Sequence, residues 1–195
     1  MLFDTIAQVE GERISIGQLI DGLGERAYGI LFMLLALPTI IPAPPGMSAV
    51  TGTPMLFFAL QMVIGHPHPW LPATLRRRSV ARADLLGVLN KCAPWLRKVE
   101  RITRPRLTYM VDGWMERFAG VVVLFLAFVL ILPIFMGNMF PSIAVALIAL
   151  AVMERDGIAV IAGYIAAVAS TIVAFGFIVV TFKVMIYAVH EFLGL

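Results

Sequence analysis

One cysteine, Cys92, rules out an internal disulfide, and three histidines leave little from which to build a metal centre. Charged side chains are also scarce, at 14% of residues, against about 25% in soluble domains. No G-x-S-x-G elbow, phosphate-binding loop or dinucleotide fingerprint occurs, so the common hydrolase, nucleotidase and dehydrogenase chemistries have no footing. His66 and His68 flank Pro67 without a companion cluster of Cys, Asp or Glu, and Cys92 has no activating neighbours. The expectation is a protein that is not an enzyme, with no catalytic residue, no metal and no cofactor. A cleavable leader is not expected either, because Asp4, Glu10, Glu12 and Arg13 interrupt the first 15 residues.

Apolar residues fill the space, making up 61% of the chain. They come in long runs at 27–41, 47–64, 118–136, 139–153 and 158–182. The last is long enough alone to cross about 30 Å of hydrocarbon. This predicts an all-α integral membrane protein, multi-pass, with residues 1–195 forming one membrane domain. The near absence of cysteine suits a bacterial inner membrane. Of 15 Lys and Arg, 11 lie between residues 65 and 117, opposed there by Asp84, Glu100, Asp112 and Glu116. By the positive-inside rule that stretch faces the cytoplasm. Its charge then reflects topology and anionic headgroups, and a nucleic-acid partner is not expected.

The chain contains one pattern twice. At an offset of 91, residues 16–46 lie over 107–137 without a gap. Asp21-Gly22, Glu25-Arg26 and Gly29 fall on Asp112-Gly113, Glu116-Arg117 and Gly120. Leu35-Ala36, Ile40, Pro42 and Gly46 fall on Leu126-Ala127, Ile131, Pro133 and Gly137. This predicts two tandem repeats, about 15–64 and 106–153, separated by a basic loop at 65–105. A transmembrane helix over about 158–190 follows. Each repeat opens with a short amphipathic helix: Ser15 and Gln18 form a capping box, and Ile16, Leu19, Ile20 and Leu23 share a face. Leu107, Met110, Val111 and Trp114 repeat the pattern. Such a segment either lies at the interface or simply extends a helix out of the membrane.

Each apolar hairpin is broken at its middle. Pro38, Pro42, Pro44, Pro45 and Gly46 interrupt the first, and Pro133, Gly137, Asn138 and Pro141 interrupt the second. Proline removes a backbone donor and clashes with the preceding turn, so helices should end there. The hairpins are either re-entrant or fully spanning. In both cases irregular backbone at membrane depth must be buried in protein or face a wet cavity, which makes the breaks a candidate site. Ser48, Thr51, Thr53, Asn138 and Ser142 stand next to them and supply hydrogen-bonding groups. Gln61, in an apolar segment, needs a partner, with another helix the expected one. Glu25-Arg26 and Glu116-Arg117 admit two readings. Each pair anchors its hairpin, or the two arginines converge to grip an anionic headgroup with their planar forks. Glu154-Arg155-Asp156 reads as a solvated turn. Gly163, Ala166, Ala167, Ala169, Ser170 and Ala174 favour close helix packing, with a homodimer interface as one use.

The string from Leu35 through Pro-Pro-Gly to Gln61 and His66-Pro-His-Pro-Trp70 resembles the ExoD family of bacterial exopolysaccharide-synthesis membrane proteins. So does the later stretch with Gly137-Asn138, Pro141-Ser142 and Glu154-Arg155-Asp156-Gly157. The resemblance covers about residues 10–190. It implies a part in exopolysaccharide production and in tolerance of alkaline conditions, with no settled reaction. Together with the breaks, it leads to the expectation of a transporter- or flippase-like protein whose two repeats enclose a cavity. Its partners would be membrane lipids, with an anionic polyprenyl-phosphate carrier as cargo. The alternatives are a non-transporting scaffold that docks polysaccharide-synthesis enzymes through loop 65–117, and a proton- or ion-coupled exchanger.

Overall fold

The computed structural model describes residues 13–24, 26–40, 47–81, 111, 113–132 and 137–193. Among these the order is strand β1 (Arg13–Ser15), helices α1 (Ile16–Leu23), α2 (Arg26–Ile40), α3 (Met47–Ile64) and α4 (Ala73–Arg76), then strand β2 (Ser79–Ala81). Helices α5 (Trp114–Ile131), α6 (Met139–Glu154) and α7 (Gly157–Leu193) complete it. The fold is all-α apart from a small antiparallel pair, in which Arg13, Ile14 and Ser15 face Ala81, Val80 and Ser79. That pair was not expected: the basic loop contributes a helical turn and a strand that tie the N-terminal segment down. Ile16 N–H extends the ladder to the Arg78 carbonyl at 2.9 Å.

Helix α1 starts where the capping box places it. Ser15 Oγ accepts from Gln18 N–H at 3.1 Å and Gln18 Oε1 accepts from Ser15 N–H at 3.0 Å, so two orphan donors are satisfied reciprocally. Of the corresponding segment of the second half, 107–114, the described residues are Val111, which is buried, Gly113, and Trp114, which is exposed and opens α5.

Helices α2, α3, α5 and α6 form the bundle, and α7 packs on α6. The most extensive contacts within the bundle pair α2 with α6 and α3 with α5, while α2 touches α3, and α5 touches α6, far less. Glycine sets both close approaches. A Cβ on Gly29 would stand 2.6 Å from the Ala149 carbonyl oxygen and 3.0 Å from Met153 N. One on Gly120 would stand 3.1 Å from Met62 Cγ and 3.2 Å from Val63 N. Gly120 lies 91 positions after Gly29, and Met153 lies 91 after Met62. Tyr28, Phe32, Met55, Met62, Val123, Leu126, Leu130, Val145 and Ile148 fill the interior. Large apolar side chains also face outward, among them Leu34, Val50, Phe57, Phe125, Phe128, Ile165 and Ile172. Among the described residues two helices, Trp114–Ile131 and the Gly157–Thr181 part of α7, are long and apolar enough to cross a membrane.

Several expectations need correction. Pro38 does not end its helix, which runs on to Ile40. It sits in the last turn on an exposed face, where only the bond to the Leu34 carbonyl is forfeited. Pro42, Pro44, Pro45, Gly46 and Pro133 lie outside the described residues, as does Glu25. Asp156 is not solvated: it is 5% exposed, and its Oδ1 accepts from Ile158 N–H at 2.9 Å, capping α7. Of the small residues of α7, Gly163 packs on Ile148 and Ala167, Ser170 and Ala174 are buried within the chain, while Ala169 is exposed.

Candidate functional site

The polar residues that flank the breaks come together at one end of the bundle. Thr39 ends α2, Ser48 and Thr51 open α3, and Asn138, Pro141 and Ser142 lead into α6. Asn138 Nδ2 donates to Ser48 Oγ at 2.7 Å, and also lies 3.2 Å from the Leu132 carbonyl and 3.4 Å from that of Leu130. The ends of three helices therefore converge on one amide. Ser142 Oγ lies 2.7 Å from Thr39 Oγ1 and 2.8 Å from the Asn138 carbonyl, and its single proton serves one of them at a time. Thr39 Oγ1 donates to the Ala36 carbonyl at 2.8 Å, and Thr51 Oγ1 donates to that of Ser48 at 3.2 Å. Thr39, Thr51 and Ser142 are all buried, Ser142 completely. Pro141 falls in the first turn of α6, where its missing N–H would have no helical partner. Gly137 is buried in the turn before it.

Among the described residues, the side-chain donors of Thr39, Thr51, Asn138 and Ser142 are spent on protein acceptors. What remains is Asn138 Oδ1, buried and without a partner among the described residues. Ser48 Oγ accepts the amide and keeps its own proton to give. A buried acceptor left open costs about 1–3 kcal/mol, so its presence needs a reason. With no charged group and few free donors, the cluster suits water, a hydroxyl or a cation, and does not suit a phosphate dianion.

The charged candidates sit at the opposite end. From Arg26 to Thr39, α2 rises about 20 Å. Arg117 opens α5 and lies across Gly65 at the end of α3, with its guanidinium 5.7 Å from the centre of the Trp114 ring. There it complements the negative pole of α3. Tyr28 Oη donates to the His66 carbonyl at 3.1 Å. Arg26 and Glu116 are each engaged in interactions of their own. Gln61 finds its partner in the next turn and not on another helix. Its Oε1 accepts from Trp70 N–H at 2.6 Å and its Nε2 donates to the Trp70 carbonyl at 3.2 Å. The expectation of arginines and breaks around one hollow therefore divides into two stations. Ser48, Gly137, Asn138 and Pro141 form one, and Arg26, Gln61, Glu116 and Arg117 lie at the other.

Sequence reading left Thr39 unremarked, because it stands inside a proline-rich string. The signal was available, since it is a polar side chain closing an apolar helix, as Gln61 is. The Tyr164 hydroxyl, buried without a partner among the described residues, was also passed over. Phe118 meets that ring edge-on at 5.3 Å. No group of three or more His, Cys, Asp or Glu able to hold a metal occurs among the described residues.

Comparison with known proteins gives the site a context. The family model described as "Exopolysaccharide synthesis, ExoD" matches residues 1–176. Protein ExoD of Rhizobium meliloti (strain 1021) is 34% identical over 172 residues, covering 86% of this chain and 71% of its own. An uncharacterised protein of Synechocystis sp. is 26% identical over 157 residues, covering 80% and 74% respectively. No solved structure matches.

Proposed function

Since the chain belongs to the ExoD family of exopolysaccharide-synthesis proteins, we propose that it is a multi-pass protein of the bacterial inner membrane that moves an anionic lipid carrier, a polyprenyl phosphate, in the manner of a transporter or flippase. The observation that carries this reading is the Asn138–Ser48 junction. It places hydrogen-bonding groups from both halves of the chain deep within an apolar bundle. The exchange-related packing of α2 on α6 and α3 on α5, with Gly29 and Gly120 in equivalent roles, supports two repeats meeting about an axis. Bundle helices of 15 to 18 residues are about 22–27 Å long, which favours hairpin tips close to the far boundary over tips at the bilayer centre.

The two stations divide the work. The arginine end, at the cytoplasmic surface, receives the phosphate, because guanidinium matches its geometry and charge. The break cluster, lacking charge, offers neutral hydrogen-bonding groups at the far end of the path and no binding site for the phosphate itself. A fluorescent polyprenyl phosphate in proteoliposomes tests this by its rate of leaflet exchange. Wild type should accelerate exchange, and Arg26→Ala/Arg117→Ala and Asn138→Leu should each abolish the acceleration. Exchange at the wild-type rate in both variants would remove the proposal.

One observation favours a second reading. The open acceptor Asn138 Oδ1 suits a cation or hydronium, as in a proton- or ion-coupled exchanger. Vesicles containing a pH-sensitive dye and no lipid cargo separate the two readings, since only the exchanger shifts internal pH.

A further inference from the structure

Beyond the charged end of the bundle, an open groove of about 570 Å³ lies between α1 and α4. Ser15, Gly17, Gln18, Asp21, Arg76 and Arg77 line it. Its construction is specific. Arg76 pairs with Asp21 across 55 residues, which fixes α4 against α1. The Arg76 side chain lies along Gly17, where a Cβ would stand 2.5 Å from Arg76 Cγ and 2.9 Å from Nε and would push it aside. Arg77 and Arg78 are exposed, and their side chains form no ion pair or hydrogen bond among the described residues. The stretch 65–81 contains no acidic residue, and Asp21 is the one carboxylate in the lining. Trp70 and Trp114, 57% and 82% exposed, mark the same end of the molecule as the level where amphipathic rings settle at a bilayer surface.

We propose that this groove is a docking site for the headgroup of an anionic phospholipid, gripped by Arg77 together with the Asp21-oriented Arg76. The charge surplus of the lining selects an anion, and its position beside the interfacial tryptophans selects one attached to the bilayer. A guanidinium held in place by Asp21 and Gly17 loses less freedom on gripping phosphate than a loose one would. The site rests on the membrane placement of the chain and is independent of any cargo. It holds a resident lipid at the edge of the bundle and stands apart from the break cluster.

Native mass spectrometry of the full chain, released from mixed micelles, tests the proposal with three probes: phosphatidylglycerol, phosphatidylcholine and inorganic phosphate. Wild type should retain phosphatidylglycerol in preference to phosphatidylcholine. Arg76→Ala/Arg77→Ala should weaken retention by roughly fivefold per arginine removed. Lys183→Ala, on the exposed surface of α7, should leave retention unchanged. Gly17→Ala, which displaces Arg76 without removing charge, should weaken it as well. Equal retention of the two lipids, phosphatidylglycerol retention that survives the double arginine change, or competition by inorganic phosphate at lipid-like concentration would each overturn the assignment. Transport in the leaflet-exchange assay is a separate readout, so loss of that activity with retention intact would affect the transport reading alone.

Discussion

Asn138 reaches from the foot of α6 to Ser48 at the foot of α3, with amide nitrogen and hydroxyl oxygen 2.7 Å apart and 90 residues of chain between them. The contact joins the first turn of α3 to the residue that precedes α6. The same amide takes up carbonyls at the end of α5, so one residue satisfies groups from three helix ends.

Coupling between these two residues should therefore be measurable. In a double-mutant cycle of Ser48→Ala and Asn138→Ala, followed by unfolding in mixed micelles, an interaction energy of about 0.6–1.7 kcal/mol is expected. Asn138→Ala alone should cost more, about 1–3 kcal/mol, since it also strands the Leu132 carbonyl. A coupling indistinguishable from zero would mean that the amide is held by the carbonyls alone.

The glycine crossings should respond unequally. At Gly29 a methyl group meets backbone, the Ala149 carbonyl oxygen at 2.6 Å, which cannot step aside. At Gly120 the nearest atom is Met62 Cγ at 3.1 Å, in a flexible side chain. Gly29→Ala should destabilise by about 1–3 kcal/mol and Gly120→Ala by clearly less. Thermal melts of the two single variants decide it, and equal losses would show that α3 is as unyielding as α6.

Removal of the Gln61 staple should loosen the turn and not the bundle. Gln61→Leu deletes both bonds to Trp70, at a cost of about 1–3 kcal/mol. Because Trp70 is exposed, its backbone can turn to water. Hydrogen exchange should accelerate at 65–72 while the interior of α3 stays protected. Faster exchange throughout α3 would give Gln61 the helix-joining role that its place in an apolar run first suggested.

Much of this architecture is legible in the chain itself, for physical reasons. The Ser15–Gln18 box is local chemistry, so it fixes the start of α1 without tertiary help. The 91-residue offset is equally plain, and it carries the equivalence of Gly29 with Gly120. The separation of Arg26 from the breaks is calculable from helix rise alone, although the likeness of the two Glu-Arg pairs draws attention to convergence. What no local signal contains is the partner of each helix. That α2 pairs with α6, burying Thr39 against Ser142, depends on side-chain volumes across the bundle. Pro38 shows the limit of propensity: near a helix end the lost bond costs little, and packing keeps the turn.

The end of α3 offers a way to separate strain from collision. Gly65 has φ +89°, a conformation that L side chains rarely adopt, and its N–H returns to the Gln61 and Met62 carbonyls, each at 3.1 Å. A Cβ there would also stand 2.7 Å from Arg117 Nη2. Gly65→Ala should destabilise by about 1–3 kcal/mol in total, from both sources. In an Arg117→Ala background the collision is gone and only the backbone term remains, so the cost of the same change should fall. The drop measures how firmly Arg117 is seated against the helix end. If Gly65→Ala costs the same in both backgrounds, the guanidinium moves aside freely, and its place over Trp114 is one of several it visits. A cost that falls by half or more makes Arg117 a fixed cation at the negative pole of α3, as a receiver of phosphate at that surface needs to be.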